Sequence, residues 1–308
     1  MSPDPAAVVS VMDVGGTHVT AAHVDVGTRT LHRGRSFREP LDGDGSADAV
    51  VAALVRCAAR LPEGGSGRWV LAVPGPFDYE HGIGRYEGVG KFDALRGVDL
   101  RAALTARLPG AADVAFCNDA DAFVLGEWWA GAARGHRSVV GITLGTGVGS
   151  CFLRDGRVVR EGPGIPSEGR AHLLRYAGQP LEETVSRRAL RRAYGQAAGT
   201  LSPPDVREIA LRAREGERLA ADVLFRAFRA LGLALGPALA AFDPSVLVVG
   251  GSIASSWDLV AEPLREGLAD AVPERAGRTD LVRAQLPETA ALLGAAYVAT
   301  TRQAADLR

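Results

Sequence analysis

Cysteine is scarce in this chain of 308 residues, which contains only Cys57, Cys117 and Cys151. The three lie far apart, so no two of them have the spacing of metal ligands, and their odd number does not suggest a disulfide framework. This usage is typical of proteins that work in a reducing compartment, and we therefore expect the protein to be cytoplasmic.

Long hydrophobic runs are also missing. No stretch reaches the ~20 apolar residues that a membrane-spanning helix requires. The N-terminal segment lacks a basic region, and Asp13 interrupts its short apolar run, so a signal peptide is not indicated. We therefore expect no membrane partner.

Charge of one sign is not in excess, because the formal net charge at pH 7 is −1. This balance gives no indication of a nucleic-acid partner. Hydrophobic residues make up 47% of the chain and charged residues 23%, which is typical of a soluble protein. At ~100–200 residues per domain, the length predicts two domains with cores of their own.

Glycine turns between valine-rich strands are what the sequence does contain. Val8 to Val14 is a nearly continuous apolar run that predicts a buried strand, and Val19 to Val26 resumes the pattern after Gly15-Gly16, which indicates a hairpin. The other elements predicted in this half are a helix over residues 47–60, strands at Trp69 to Val73 and Val114 to Cys117, and a helix from Ala120 to Ala132.

The same pattern recurs in the second half, where the strand Ser138 to Leu144 is followed by Gly145-Thr146-Gly147 and a return strand at Ser150 to Arg154. The segments DVGGTHVTAAHVD and TLGTGVGSCFLRD are alike, which suggests two related domains facing one cleft. A mainly helical segment follows, then a strand at Val246 to Val249 that ends in Gly250-Gly251. A last helix, over about residues 288–306, is expected to return to the first domain.

Both glycine turns have the composition of phosphate-binding loops. Glycine lets the backbone approach a ligand closely, and successive N–H groups in such a turn form a concavity that binds anions. Thr17 adds a hydroxyl, and Asp13 suits an Mg²⁺ ion lying between it and the phosphates. An ordinary hairpin is the alternative for either turn alone, whereas two such turns favour a polyphosphate held from two sides. The spacing is not that of a dinucleotide fingerprint, and no P-loop is present.

Asn118-Asp119 follows a buried strand and precedes a helix. Ligands of α/β proteins bind outside the carboxyl ends of such strands, where a carboxylate could accept the proton of a substrate hydroxyl. Asp119 could instead cap the helix, a position that aspartate favours.

These motifs together resemble the ROK family of sugar kinases, which have the actin-like ATPase fold. The residues that carry the resemblance are Asp13-Val14-Gly15-Gly16-Thr17, Pro74-Gly75-Pro76, Asn118-Asp119-Ala120-Asp121-Ala122 with Gly126-Glu127, Leu144-Gly145-Thr146-Gly147-Val148-Gly149, and Asp243-Pro244 with Val248-Val249-Gly250-Gly251.

The resemblance implies an α/β, ribonuclease H-like fold with two domains and a central cleft. We expect residues 1–119 to form a smaller domain completed by a C-terminal helix at about 288–308, and residues 120–287 a larger one. It also implies an ATP-dependent kinase of a glucose-type hexose 6-hydroxyl, with Mg²⁺. Asp119 is then the general base and Asn118 a sugar ligand, while the nucleotide contacts are Asp13, Gly15, Gly16, Thr17, Gly145, Thr146, Gly147, Gly250 and Gly251. A homodimer is expected by the same resemblance.

The segment after residue 160 departs from the family pattern. The family has Glu-x-Gly-His followed by a run with three zinc-binding cysteines, whereas here one extra residue separates Glu168 from His172, and no cysteine precedes Leu181-Glu182. We therefore expect no structural zinc. Glu168, His172 and Glu182 are candidate sugar ligands, although His172 could be an ordinary surface histidine.

Two other functions are alternatives to glucose phosphorylation. An amino-hexose such as kanosamine is an alternative substrate, because the metal segment is remodelled. A sugar-responsive repressor of the same family is a remote alternative, since the first predicted strand begins within ten residues of Met1 and leaves no room for a helix-turn-helix domain.

Overall fold

The computed structural model describes residues 8–306, which fall into two compact units. The first unit contains the chain up to Ala130 together with the segment from Glu288 onward. The second unit is Gly131–Pro287.

Strands and helices alternate along both units, as in an α/β protein. The strands are β1 (Val8–Val14), β2 (His18–Asp25), β3 (Thr30–Pro40), β4 (Arg68–Val73), β5 (Phe77–Asp78), β6 (Ile83–Gly84), β7 (Asp113–Asn118), β8 (Ser138–Leu144), β9 (Val148–Arg154), β10 (Arg157–Val158), β11 (Arg175–Tyr176), β12 (Gln179–Pro180), β13 (Val246–Gly250) and β14 (Asp280–Arg283). The helices are α1 (Ala47–Ala58), α2 (Leu100–Thr105), α3 (Asp119–Ala130), α4 (Glu182–Val185), α5 (Arg187–Ala198), α6 (Val206–Arg214), α7 (Arg218–Phe242), α8 (Trp257–Ala271) and α9 (Ala290–Asp306).

A five-stranded sheet in the order β3-β2-β1-β4-β7 forms the centre of the first unit. Strand β2 is antiparallel to both β1 and β3, whereas β4 is parallel to β1, and β7 is parallel to β4. Trp69 and Phe116 on these strands pack with Tyr86 and Phe92 in the core of this unit, and all four are almost completely buried.

The sheet of the second unit has the same arrangement, in the order β10-β9-β8-β13-β14. Strands β8, β9 and β10 form the antiparallel part, and β13 and β14 run parallel to β8. Each unit therefore begins with a glycine hairpin that opens an equivalent sheet, which confirms the relation between two halves predicted from the repeated motif.

Helix α7 is long and apolar enough to cross a membrane by length and composition alone. However, 61% of its most apolar window is buried inside the structure. Side chains such as Phe228 and Leu231 belong to the core of the second unit. This is the behaviour of a core helix.

The boundary between the units differs from the predicted one after residue 119. Helix α3 belongs to the first unit because it packs closely against α9. A Cβ atom on Gly126 would lie 1.9 Å from the carbonyl oxygen of Ala290, and one on Gly294 would lie 1.7 Å from that of Ala122. The contact is thus backbone against backbone, and α3 cannot be assigned to the second unit.

Several elements were not anticipated from the sequence, among them β3, α2, α8 and β14. Strand β3 carries charged and polar residues such as Arg35 and Arg38, which conceal its alternation. Strand β14 has only four residues. The β3 strand is relevant to function, because Arg38 on it acts on Asp13, as described below.

Candidate active site

The carboxyl ends of β1, β4 and β7 meet at one edge of the first sheet, because these strands are parallel. Asp13 is paired in register with Ala72 of β4, and Val73 with Asn118 of β7. Asp13 and Asp119 therefore reach the same edge from the two sides of β4. Such an edge is where α/β proteins bind ligands.

The first glycine turn lies directly beyond Asp13. Gly15 donates its N–H to the carbonyl of His18 (2.8 Å), while the carbonyl of Gly16 accepts a bond from Gly43 (2.9 Å). The N–H groups of Gly16 and Thr17 have no acceptor among residues 8–306. Two adjacent free donors in a glycine turn are suited to an anionic ligand.

Helix capping was the alternative role considered for Asp119, but Asn118 performs much of it. Its Oδ1 accepts hydrogen bonds from the N–H groups of Ala120 (3.0 Å) and Asp121 (3.1 Å) at the start of α3. Asp119 shares the Ala120 N–H through its own Oδ1 (2.9 Å). The backbone N–H of Asp119 itself also donates to the carboxylate. No other residue in the described part of the chain is recorded as a donor to Oδ2, so this oxygen is available to a ligand.

Both carboxyl groups at this edge hold protons more tightly than an exposed aspartate. Burial is the main cause for Asp119, and the charge of Lys91 opposes it, but the net result is a raised pKa. Burial, with the added repulsion from Asp119, raises the pKa of Asp13 to about 6, and Arg38 opposes this change. A carboxylate with a raised pKa is better able to accept a proton during catalysis.

Tyr79 is a member of this site that sequence reasoning missed. Its hydroxyl accepts a bond from Nδ2 of Asn118 (3.0 Å) and donates to the carbonyl of Val73 (3.3 Å). Burial raises the pKa of Tyr79, so the hydroxyl keeps its proton at neutral pH. One amide hydrogen of Asn118 is thus occupied, and its side-chain orientation is fixed. The sequence signal that could have identified Tyr79 is its position three residues after Pro74-Gly75-Pro76.

The second glycine turn joins β8 to β9 in the second unit. Gly145 donates to the carbonyl of Gly147 (3.0 Å), whereas the N–H groups of Thr146 and Gly147 find no acceptor in the described residues. Gly251, at the end of β13, approaches this turn closely, because a Cβ atom there would lie 2.3 Å from the carbonyl of Leu144. Its φ of 84° also favours glycine. Gly250 and Gly251 therefore lie beside the second turn.

The three candidate sugar ligands have different environments within the second unit. Glu182 accepts a hydrogen bond from the N–H of Val148 (2.9 Å) and lies against the second glycine turn. Its charge acts on His172, although burial is the larger effect and lowers the pKa of that histidine. Glu168 is exposed and forms an ion pair with Arg170. The structure thus relates His172 to Glu182, and gives no contact of Glu168 with either.

No group of three or more His, Cys, Asp or Glu side chains that could hold a metal ion occurs within residues 8–306. The three cysteines are buried in separate elements, α1, β7 and β9. The loop between Glu168 and His172 is held by a hydroxyl instead, since Ser150 donates to the carbonyl of Gly169 (2.5 Å) and accepts from the N–H of Ala171 (2.8 Å).

Comparison with known proteins gives these sites a family context. The model of the ROK family matches residues 9–302, which is nearly the whole chain. The chain belongs to the ROK family.

Several relatives align with this chain over nearly the full length of both proteins. A glucokinase of Thermotoga maritima is 30% identical over 314 aligned positions, covering 94% of this chain and 96% of the relative. An N-acetyl-D-glucosamine kinase of Escherichia coli is 27% identical, with 94% of this chain and 98% of that protein covered. The crystal structure of a ROK family glucokinase from Streptomyces griseus in complex with glucose and AMPPNP has a TM-score of 0.77 at 26% identity, covering 94% of this chain and 98% of that one. The two units of this ROK protein therefore form a two-domain actin-like ATPase fold.

Proposed function

We propose that this ROK protein transfers the γ-phosphoryl group of ATP to the 6-hydroxyl of a glucose-type hexose, with Asp119 as general base. The family and the full-length relatives show that the chain is an ATP-dependent sugar kinase. The observation that supports the finer part is the available Oδ2 of Asp119, on a carboxyl group of raised pKa beside Asp13 and the first glycine turn.

The reaction needs little covalent chemistry from the protein. Asp119 accepts the proton of the 6-hydroxyl while the bond from O6 to the γ-phosphorus forms and the bond from that phosphorus to the β,γ-bridging oxygen breaks. The free N–H groups of Gly16 and Thr17 are suited to hold phosphate oxygens. Tyr79 and the helix cap keep Asn118 in place next to the base.

The residues of this edge also fit the magnesium ion that accompanies ATP. Asp13 and Asp119 offer carboxylate oxygens, the ligands Mg²⁺ prefers, and a cation would relieve the repulsion that raises the pKa of Asp13. Mg²⁺ bound with the nucleotide supplies positive charge to the phosphate oxygens. We propose that the protein binds no structural zinc ion.

Replacement of the base tests the proposal directly. Asp119→Asn keeps the shape of the side chain but cannot accept the proton, so kcat should fall by ~10²–10⁴-fold while ATP still binds. Asp113→Asn, an exposed aspartate on β7, is the matched control and should retain activity. A turnover of Asp119→Asn near that of the control would remove Asp119 from the mechanism.

A second candidate is phosphorylation of an amino-hexose such as kanosamine. It is favoured by the environment of Glu182, whose carboxylate lies near His172 and uses only Oε2 for the Val148 N–H. A protonated amine would gain from that carboxylate, because charge-assisted hydrogen bonds are roughly twice as strong as neutral ones.

A coupled assay with glucose, mannose, glucosamine, N-acetylglucosamine and kanosamine separates the two candidates. If the substrate is an amino-hexose, Glu182→Gln and Glu168→Gln should lower kcat/KM for the amine far more than for glucose, because the protonated amine loses a charge-assisted hydrogen bond and glucose a weaker neutral one. If it is glucose, the losses should be similar. Unchanged kcat/KM values for all five sugars in both variants would show that the sugar ligands are wrongly assigned.

We also propose that the protein works in the cytoplasm as a homodimer. The support is the family resemblance together with the three buried cysteines, none of which forms a disulfide bond and which suit a reducing compartment. Sedimentation equilibrium at micromolar concentration measures the mass of the particle directly, and a monomer mass would contradict the dimer.

A further inference from the structure

Lys91 is exceptional in this chain because it is the only lysine among 35 lysine and arginine residues. Arginine and lysine are not equivalent, since an ammonium is a compact point charge on a flexible stem, whereas a guanidinium is a planar fork suited to carboxylates.

The structure brings Lys91 to the candidate active site of the first unit. Its Cδ atom lies 3.2 Å from where a Cβ atom on Gly16 would stand, so its stem packs on the first glycine turn. Its positive charge also lowers the proton affinity of Asp119, which places it near the base. Lys91 is half-buried rather than extended into solvent.

The residue that follows holds Lys91 in this position. Phe92 has a left-handed backbone (φ 62°) and is 1% exposed, and its N–H donates to the carbonyl of Gly43 (2.6 Å). Gly43 in turn donates to the carbonyl of Gly16. The ring of Phe92 also packs against Tyr86, with centroids 5.4 Å apart. The segment that carries Lys91 is therefore linked to the first glycine turn through Phe92 and Gly43.

The ammonium group of Lys91 has no hydrogen-bond or ion-pair partner in the part of the chain that the structure describes. Within residues 8–306 it makes no hydrogen bond, and no carboxylate lies within ion-pair distance of it. A half-buried cation without a hydrogen bond has lost part of its hydration, and the charge of Asp119 compensates for this from beyond ion-pair distance. This is the condition expected of a group whose partner is a ligand.

We propose that Lys91 contacts the γ-phosphoryl group of ATP and stabilises the negative charge on its oxygens during transfer to the sugar. The inference rests on the proposed function. Asp13 and Asp119 are both acidic, so an approaching polyphosphate needs a compensating cation at this edge, and Lys91 is a protein group that provides one. Lys91 stays protonated throughout, while the 6-hydroxyl proton goes to Asp119 and the electron pair of the broken bond leaves with ADP.

The first test uses substitution, with controls for folding. Lys91→Met keeps the stem and removes the charge, and it should lower kcat by ~10²–10³-fold. The KM for the sugar should change less than threefold. Arg96→Met, on the same segment but exposed and paired with Glu87, should behave as wild type. Equal thermal stability of both variants confirms that the fold is intact.

The pH profile separates direct contact from an effect through the base. If Lys91 acted only by keeping Asp119 ionised, the activity of Lys91→Met would recover at pH 9. Contact with the phosphoryl group predicts that the loss persists there. Full recovery at pH 9, or a kcat within threefold of wild type, would overturn the proposal.

The second test does not depend on turnover. Because Lys91 is the only lysine, an amine-reactive acetylating reagent can modify only this side chain and the N-terminus, and mass spectrometry can follow the Lys91 peptide alone. The β,γ-imido analogue of ATP with Mg²⁺ should protect Lys91 at least tenfold better than MgADP. Equal protection by both nucleotides would overturn the contact. If the wild type phosphorylated no sugar, the proposed function would fail. The protection measurement would still show whether Lys91 contacts the γ-phosphoryl group of the bound nucleotide.

Discussion

At the residue scale, the two carboxyl groups at the edge of the first sheet oppose folding and favour function. Ionised Asp13 is poorly solvated and lies near Asp119, and its pKa rises to about 6 as a result. The same negative charge suits the magnesium ion that accompanies ATP. Sites of this kind trade stability for activity.

This conflict predicts a stability change in Asp13→Asn. The folded state binds more protons than the unfolded state between the ordinary aspartate pKa of 3.8 and about 6, so the wild type loses stability as the pH rises through that window. Without metal or nucleotide, Asp13→Asn should be more stable than wild type at pH 8 by about 1–3 kcal/mol. The difference should vanish near pH 4.

Urea unfolding at pH 8, 6 and 4 in the presence of a chelator measures this difference. Asp113→Asn serves again as control, because Asp113 is exposed and its replacement should leave the free energy of unfolding nearly unchanged. The stabilised Asp13→Asn protein should nevertheless be nearly inactive. A destabilised Asp13→Asn at pH 8 would mean that the carboxylate is better compensated than its burial suggests.

At the scale of elements, helix α3 connects the active site to the packing of the first unit. Asp119 begins this helix, and Gly126 lies in its middle against the backbone of α9. The position of the base therefore depends on how closely the two helices approach.

Adding one methyl group at this contact should be costly. In Gly126→Ala the new Cβ would lie 1.9 Å from the carbonyl oxygen of Ala290. This clash cannot be relieved by a change of rotamer, because the oxygen belongs to the backbone of α9. We expect a loss of about 3 kcal/mol in the free energy of unfolding, at the upper end for overpacking. Activity should fall as well, because α3 must shift.

Urea unfolding followed by circular dichroism gives the free energy. The control is Ala197→Val on the exposed face of α5, where the added methyl groups lie in solvent and should cost well under 1 kcal/mol. A Gly126→Ala protein as stable as that control would show that α3 and α9 can separate without cost.

At the scale of the whole molecule, the chain should require magnesium with ATP but contain no structural zinc. Structural zinc sites are usually four-coordinate and built from cysteine and histidine. Here the three cysteines are buried in three separate elements. Elemental analysis of the purified protein should find less than stoichiometric zinc, and activity should depend on added Mg²⁺. One zinc ion per chain that resists dialysis would contradict this prediction.

Sequence alone determined those features of this protein that depend on short segments. The two glycine hairpins, the strand before Asn118 and the helix after Asp119 all follow from local apolar patterns and glycine positions, and the repeat between the halves predicted their equivalent sheets. Backbone conformation in such segments is set by neighbours in the chain, so the sequence is informative there.

Only the tertiary structure decided which distant residues meet. The position of Lys91 on the first glycine turn, the bond from Asn118 to Tyr79 and the packing of α3 against α9 each join segments that are far apart in the chain. The domain boundary after Ala130 follows from that last contact. These arrangements depend on close packing and on charges brought together by folding, and neither leaves a periodic signal in the sequence.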